Sequence, residues 1–341
     1  MTQTTPSSGE TTARTRPVVV VCAANSRYAL PLAVMLRSVE ANLDPSRSLS
    51  IFVVDDGLTA DDKKKVLDSL ASGATVQWLR PRRSGFASLP LWGRMPITTY
   101  DKLALAHLLP ATVEKVIWLD CDVLVVGDIA RLWDEDLGGF HALAVRDSFV
   151  RSFGSRFGVA GFRELGLDRD ARYFNAGVMV IDLARWRLDD VAGQALDYLK
   201  RFGRRVFFWE QEGLNAVLAG RWREIDSGWN RNLSVERPSF SRDVPIGNPS
   251  VQASQILHFC GNLKPWTYVA RNHCHALYYR YLDLTAWKGW RPRQDWRGAV
   301  LAWYESSPVR RFLYPLEQWH MKLHRWLTGR YASEQETKSH E

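Results

Sequence analysis

Three segments constrain this chain more than any other feature. "PVVVVCAAN" (17–25), "LSIFVVDDG" (49–57) and "KVIWLDCD" (115–122) are near-continuous apolar runs, rich in Val and Ile, that stop at polar residues. A strand with one wet face alternates apolar and polar side chains, whereas a run apolar at nearly every position belongs to a strand covered on both faces. Helical spacing fills the gaps. "ALPLAVMLRSVEANL" follows the first run, and "TADDKKKVLDSLAS" opens on Thr59 as an N-cap. "ATVQWLR" (74–80) reads as a further strand, with a helix near 98–109. Strands alternating with helices predict a doubly wound α/β sheet with parallel pairing. Such sheets bind ligands beyond the carboxyl ends of their strands, where Asn25, Asp55, Asp120 and Asp122 all stand.

Later segments extend the pattern. "ARYFNAGVMVIDLARWR" (171–187) carries another buried strand, preceded by a polar break at Asn175 and Gly177. "FFWEQEGLNAVLAGRW" (207–222) has helical periodicity, with Glu210, Gln211 and Glu212 in its first turn. "SQILHFCGNLKPW" (254–266) is a short strand running into a loop with Gly and Pro. No internal repeat is visible.

Several function classes drop out. No GxGxxG follows the first strand, which disfavours a dinucleotide-binding unit, and no GxxxxGK[ST] loop is present. Cys22, Cys121, Cys260 and Cys274 form no CxxC pair, which argues against a disulfide framework or a zinc site. The formal charge of +8 suits either an anionic partner or a merely basic surface. Nucleic acid is disfavoured, because no reading motif occurs and the basic excess sits largely near the C-terminus. Residues 1–16 are Thr/Ser-rich and read as a disordered tail without the apolar core of a signal peptide. No apolar run reaches membrane-spanning length, so a cytoplasmic protein is expected.

Asp120-Cys121-Asp122 carries the chemistry. Along an extended chain both carboxylates point to one side, where a divalent cation could take an oxygen from each; the other reading is solvated loop carboxylates or helix caps. His258 follows "QIL" in "HFCGNLKPW" and adds a nitrogen that suits Mn²⁺ better than Ca²⁺, although a histidine after a strand is commonly structural. Gly261 allows close backbone approach and Lys264 brings positive charge for phosphate. Cys121 reads as a small packing residue within the motif.

The segments "VCAANSRYALPLAVMLRSVE", "ITTYDKL", "VIWLDCDVLVVGDIARLWD", "YFNAGVMVIDL", "WEQEGLN" and "HFCGNLKPW", in that order over about residues 18–270, resemble the family 8 glycosyltransferases. That family includes bacterial lipooligosaccharide galactosyl- and glucosyltransferases, with glycogenin as a relative. The resemblance implies a GT-A fold, a Rossmann-like doubly wound mixed sheet. It also implies a UDP-sugar, Mn²⁺ or in its place Mg²⁺, a glycan or lipid-linked acceptor, and transfer with retention. By position, it makes Asp120, Asp122 and His258 the metal ligands. Ala23, Asn25 and Tyr28 would hold the uracil and ribose, Lys102 would contact the UDP-sugar, and Gly261 and Lys264 the diphosphate, with Cys121 inside the motif. Asp147, Asn175, Glu210 and Gln211 would surround the transferred sugar. Three positions depart from the pattern: Asn25 for a common Asp, Lys102 for a frequent Arg, and Glu210 for a frequent Asp. An amide at Gln211, a poor nucleophile, points to front-face substitution. The rival reading is a non-catalytic sugar-nucleotide or glycan-binding relative.

The expected catalytic domain spans 17–285. Segment 286–331 changes character: Trp287, Trp290, Trp296, Trp303, Trp319 and Trp326 alternate with Arg291, Arg293, Arg297, Arg310, Arg311, Lys322, Arg325 and Arg330. It reads as a basic, aromatic amphipathic helical appendage. It either meets an anionic membrane surface from the cytoplasmic side or packs on the catalytic domain. His320 and His324 read as helix surface, and 332–341 as a second disordered tail.

Overall fold

The computed structural model describes residues 16–71, 73–81, 96–203, 205–233, 253–261, 264–267 and 273–293, with single positions between 86 and 91 and between 296 and 323. The tails 1–15 and 332–341 and most of 294–331, His320 and His324 among them, lie outside the described residues.

Strands β1 (Val18–Ala24), β2 (Leu49–Asp55), β3 (Ala74–Leu79) and β4 (Lys115–Leu119) lie parallel in the order β3-β2-β1-β4. β1 is buried at every position but Ala23, as its uninterrupted apolar run requires. The short strand β5 (Val123–Val125) follows β4, and the sheet continues through β6 (Ala142–Arg146), β7 (Phe174–Asp182) and β8 (Trp222–Glu224) to the order β3-β2-β1-β4-β7-β6-β8. Within it β7 runs antiparallel to both β4 and β6. The sheet is therefore mixed, as the family resemblance implies, and not purely parallel as the apolar runs alone suggest. A strand buried on both faces reads the same in either direction, so the apolar run of β7 could not announce its reversal.

A second sheet, in the order β5-β10-β9, is built from β5, β9 (Arg231–Asn232) and β10 (Ile256–His258). Helix Ala29–Asn42 is apolar on more than one face because it serves two cores. Leu32, Met35, Leu36 and Val39 enter the main cluster, while Val34 joins Leu124, Leu257, Phe259, Tyr278 and Leu282 beneath the small sheet. The helix from Ala60 starts on Thr59 with a capping box to Asp62, as its sequence predicts. The expected helix near 98–109 is a 3₁₀ segment over Ile97–Ala104 and one α-turn over Leu105–Leu108. Asn175 and Gly177 lie inside β7, not ahead of it. Asp55 caps a turn through Gly57 and Leu58 N–H and pairs with Lys63 at 2.5 Å, which commits its carboxylate to structure.

The four cysteines are free thiols. Residues 286–291 stay with the folded body. Trp287 packs against both clusters, the Ala286 N–H donates to Ser69 Oγ at 3.0 Å, and Arg291 pairs with Asp283 at 2.7 Å.

Helix His273–Leu282 buries His275 among Phe259 and Tyr279, and burial lowers its pKa from the ordinary 6.5 to about 4. The unfolded chain protonates there below about pH 6.5, the folded chain only near 4. Stability is therefore lost as pH falls through that window, by about 3 kcal/mol at 1.36 kcal/mol per pH unit. Urea unfolding at pH 7 and pH 4.5 checks this: His275→Gln is expected to lose clearly less stability between the two than the wild type, and equal losses would contradict the assignment.

Candidate functional site

The site forms where one sheet passes the chain to the other. Leu119 pairs with Val178, and the Asp120 N–H donates to Gly177 O at 2.8 Å, the last rung of the β4–β7 ladder. The chain then turns, and β5 pairs antiparallel with β10, Val123 opposite His258, with the Phe259 N–H donating to Asp122 O at 2.9 Å. Asp120 is thus fixed by the large sheet and Asp122 by the small one. Their carboxylates approach through a turn, not through the side-chain alternation of an extended strand. Cys121, between them, is buried with its Sγ 3.2 Å from Ala23 O, and it fills the floor.

Asp120, Asp122 and His258 each offer a ligand atom, and these atoms lie within 4.8 Å of one another. Two carboxylates and an imidazole fit a borderline divalent cation such as Mn²⁺. The Trp118 indole N–H donates to Asp120 Oδ1 at 2.7 Å, and His258 Nε2 lies 3.2 Å from Asp122 Oδ1. Lys264 bonds Asp122 Oδ2 and, at 2.6 Å, Phe259 O. Burial alone would raise the Asp122 carboxyl, but Lys264 and His258 outweigh it and hold the group far below its usual range. Burial likewise pulls His258 down, and Cys260 with Asp122 reverses this to a value well above normal. Lys264 and His258 therefore hold Asp122 in its charged form.

Gly177 is the floor of this cluster. A Cβ there would collide with His258 Cε1 and stand 3.0 Å from Asp120 Oδ2. The site needs a glycine for close approach, since the φ of Gly177 is not among the positive ones.

A second set of side chains adjoins the first. β6 shifts register between Ala144 and Val145, just before Asp147 leaves the strand. Asp147 Oδ1 accepts from the Phe149 and Val150 N–H groups at 2.8 and 2.7 Å, and Oδ2 accepts from Asn175 Nδ2 at 2.9 Å and Gln211 Nε2 at 3.3 Å. The Ala176 N–H donates to Gln211 Oε1 at 3.0 Å. Asn175 Oδ1 accepts from the Gly177 N–H at 3.0 Å and from Asn230 Nδ2 at 2.8 Å, and Asn230 Oδ1 lies 2.8 Å from His258 Nδ1. One hydrogen-bonded chain thus runs from the metal-type cluster to Gln211.

Lys102 and Glu210 lie beneath this set. Lys102 is 1 % exposed, and its ammonium donates to Ala176 O at 2.7 Å, with Glu210 Oε1 at 3.4 Å and Asp120 Oδ1 at 3.6 Å. Burial raises the Glu210 carboxyl despite Lys102, and Thr99 donates to it. On the other flank Asn25 caps its 3₁₀ turn by accepting from the Arg27 N–H, and half-buried Ala23 lies next to it. Tyr28 packs edge-on to Trp266 at 5.9 Å between ring centres, and burial raises its hydroxyl pKa. Gly261 has φ +77°, a conformation that favours glycine.

Trp118, Trp266, Asn230 and Thr99 were not singled out from the sequence. Trp118, Thr99 and Trp266 stand in the segments that carry the family resemblance, which is the signal that could have found them. Asn230 sits in "SGWNRN", which carries no motif and comes close through the β9–β10 pairing and the Gln255 N–H bond to Gly228 O.

Residues 19–270 match the family model described as Glycosyl transferase family 8. The chain is 26% identical over 276 residues to general stress protein A of Bacillus subtilis, which covers 79% of this chain and 94% of that protein. It is 34% identical over 177 residues to a probable galacturonosyltransferase-like 3 of Arabidopsis thaliana, about half of each chain at 49% and 49%. Its fold superimposes on the galactosyltransferase LgtC, solved with analogs of the donor and acceptor sugars, with a TM-score of 0.67 and 27% identity over 82% of this chain and 99% of that one.

The close approach at Gly177 generates a test. Gly177→Ala is expected to push His258 away from the two aspartates and weaken Mn²⁺ binding about tenfold or more, at a stability cost of about 1–3 kcal/mol from overpacking. Mn²⁺ titration beside thermal melting separates the two effects. Wild-type affinity in the alanine variant would remove Gly177 from the site.

Proposed function

The chain belongs to glycosyl transferase family 8, and on that premise we propose that it moves a hexose, galactose or glucose, from a UDP-sugar to a glycan or lipid-linked glycan acceptor with retention of configuration. The observation that carries this reading is the adjacency of two poles. An acidic pair with an imidazole and Lys264 suits a divalent cation and a diphosphate, and Asn175, Asp147 and Gln211 next to it suit the hydroxyls of a sugar. The name of the structurally similar LgtC supports a galactosyl group.

When bound, the cation, Mn²⁺ or in its place Mg²⁺, neutralises charge on the departing diphosphate. Lys264 adds a second positive charge, and the turn at Gly261 lets the backbone approach the phosphates. Asp147 is locked by two backbone N–H groups and orients the hydroxyls of the sugar together with Asn175. Gln211 already accepts the Ala176 N–H, so its carbonyl is a poor nucleophile and serves to stabilise the sugar. The acceptor hydroxyl then enters on the face the diphosphate leaves. The new bond to the anomeric carbon forms as the bond from that carbon to the diphosphate oxygen breaks, and the hydroxyl proton passes to the leaving phosphate oxygen. Tyr28 and Trp266 offer aromatic surface to the uracil, beside Ala23 and Asn25.

No helix among the described residues is long and apolar enough to cross a membrane. Trp296, Trp303 and Trp319 are 72%, 62% and 59% exposed, and with the basic residues around them they support peripheral contact with an anionic membrane surface. Removing 294–341 is then expected to abolish sedimentation with phosphatidylglycerol vesicles while sparing hydrolysis of the UDP-sugar.

A panel of UDP-galactose, UDP-glucose, UDP-N-acetylhexosamines and UDP-uronic acids, scored for UDP release with Mn²⁺ or EDTA, tests the main reading. Release from one hexose donor that EDTA abolishes is expected. UDP binding without release from any donor would support the non-catalytic alternative. Gln211→Ala with most of its transfer rate intact would remove Gln211 from the scheme, and a trapped glycosyl-enzyme adduct would overturn front-face substitution.

A further inference from the structure

Asn230 ends the short turn Ser227–Asn230 that leads into β9, and its side chain is buried between the two poles of the site. Its amide atoms face different partners, Nδ2 toward Asn175 Oδ1 and Oδ1 toward His258 Nδ1, each at 2.8 Å. The backbone sets the polarity of this chain. The Gly177 N–H can only donate, and it points at Asn175 Oδ1 over 3.0 Å, so that atom is the carbonyl oxygen. An oxygen there requires a donor from Asn230, which must be its amino group. The Asn230 atom facing His258 is then the carbonyl oxygen, and it can accept only from a protonated Nδ1. With Nδ1 so committed, Nε2 is the nitrogen available as a ligand, and Nε2 is the atom 3.2 Å from Asp122 Oδ1.

The same logic runs the other way. Asn175, with its oxygen fixed, must present Nδ2 to Asp147 Oδ2, at 2.9 Å. A flipped Asn230 amide would set its amino group against the Nδ1 proton and its oxygen against the Asn175 oxygen, losing two bonds at once.

We infer that Asn230 is a positioning residue that holds His258 with Nε2 toward the cation and, through the same amide, holds Asn175 against Asp147. It keeps the metal side and the sugar side in one hydrogen-bonded register. The inference rests on the metal-dependent reading above and adds to it the residue that couples its two halves. Partners that fix the orientation of a metal-ligating histidine typically govern affinity about 10- to 100-fold.

Two substitutions separate the roles. Asn230→Leu removes both bonds, whereas Asn230→Asp keeps an acceptor for His258 and removes the amino group that faces Asn175. MnCl₂ is titrated into the metal-free full-length chain and read by electron paramagnetic resonance, beside thermal melting and turnover of the active UDP-sugar. The leucine variant is expected to bind Mn²⁺ about 10- to 100-fold more weakly. The aspartate variant is expected to bind it at least as tightly as the wild type while its kcat falls on the order of tenfold or more, because Asn175 is no longer aligned. A role limited to folding would move the melting temperature and leave this split absent. A folded leucine variant with wild-type Mn²⁺ affinity overturns the inference, and so does an aspartate variant that loses Mn²⁺ affinity or keeps wild-type kcat. Should the leucine variant not fold, the aspartate variant decides alone. His258→Ala is the control: if it binds Mn²⁺ like the wild type, the metal reading itself fails, a result distinct from both Asn230 variants matching the wild type while His258→Ala does not.

Discussion

Everything at the site depends on how Asp120 and Asp122 are held. Asp120 is the last residue tied to the large sheet, through its N–H to Gly177 O, and Asp122 is the first tied to the small one, through its carbonyl to the Phe259 N–H. Two carboxylates at close quarters repel, and a free loop would relieve that by moving apart. Here the backbone ladders on either side fix the turn, so the repulsion is met by counter-charge instead of by motion. Lys264 and His258 supply it at Asp122 and Lys102 at Asp120, where the Trp118 indole adds a neutral hydrogen bond. The arrangement is preorganised: the oxygen and nitrogen atoms of Asp120, Asp122 and His258 are held close together by the fold itself.

That preorganisation concentrates buried charge, and the fold distributes it in pairs. Glu210 sits on Lys102 and Thr99, and Glu212 on the Ala160, Phe207 and Phe208 N–H groups and Tyr198. Removing Lys102 from beside Glu210 would cost about 3–5 kcal/mol, because the carboxylate would stay buried without its counter-charge. Trp209, at φ +40°, opens the helix that presents Glu210 and Gln211. A bulky residue in the left-handed region costs about 1–3 kcal/mol, so strain lies next to the residues assigned to the sugar, where such outliers tend to gather.

How much of this was legible in the sequence follows from what sequence patterns encode. Unbroken apolar runs state that a strand is buried, so β1, β2 and β4 and the helices between them were readable, as was the capping box at Thr59. Direction is not encoded in such a run, so the mixed sheet followed from the family resemblance and not from the run of β7 itself. Motif residues such as Asp120, Asp122, His258 and Lys264 were visible because their chemistry is unusual at strand ends. Gly177 looked like a break in a strand, since nothing local says that an imidazole will lie on it. Asn230 was silent, because an asparagine in a loop is ordinary until a pairing from elsewhere brings it to a histidine.

The two departures from the family pattern at Lys102 and Glu210 look independent in the sequence, being 108 residues apart, yet their charged atoms lie 3.4 Å from each other. A lysine ammonium is a compact point charge on a shorter reach than a guanidinium fork, and a glutamate reaches one methylene further than an aspartate. Shortening the base and lengthening the acid leaves their contact in place. The pair is fully enclosed, so a gap between them would leave two charges without solvent, and an overlap would push on Asp120 through the same ammonium. One contact thus joins the two positions. It also places them beneath the acidic pair, where the Lys102 ammonium meets Asp120 and the Ala176 carbonyl and Glu210 meets the same ammonium.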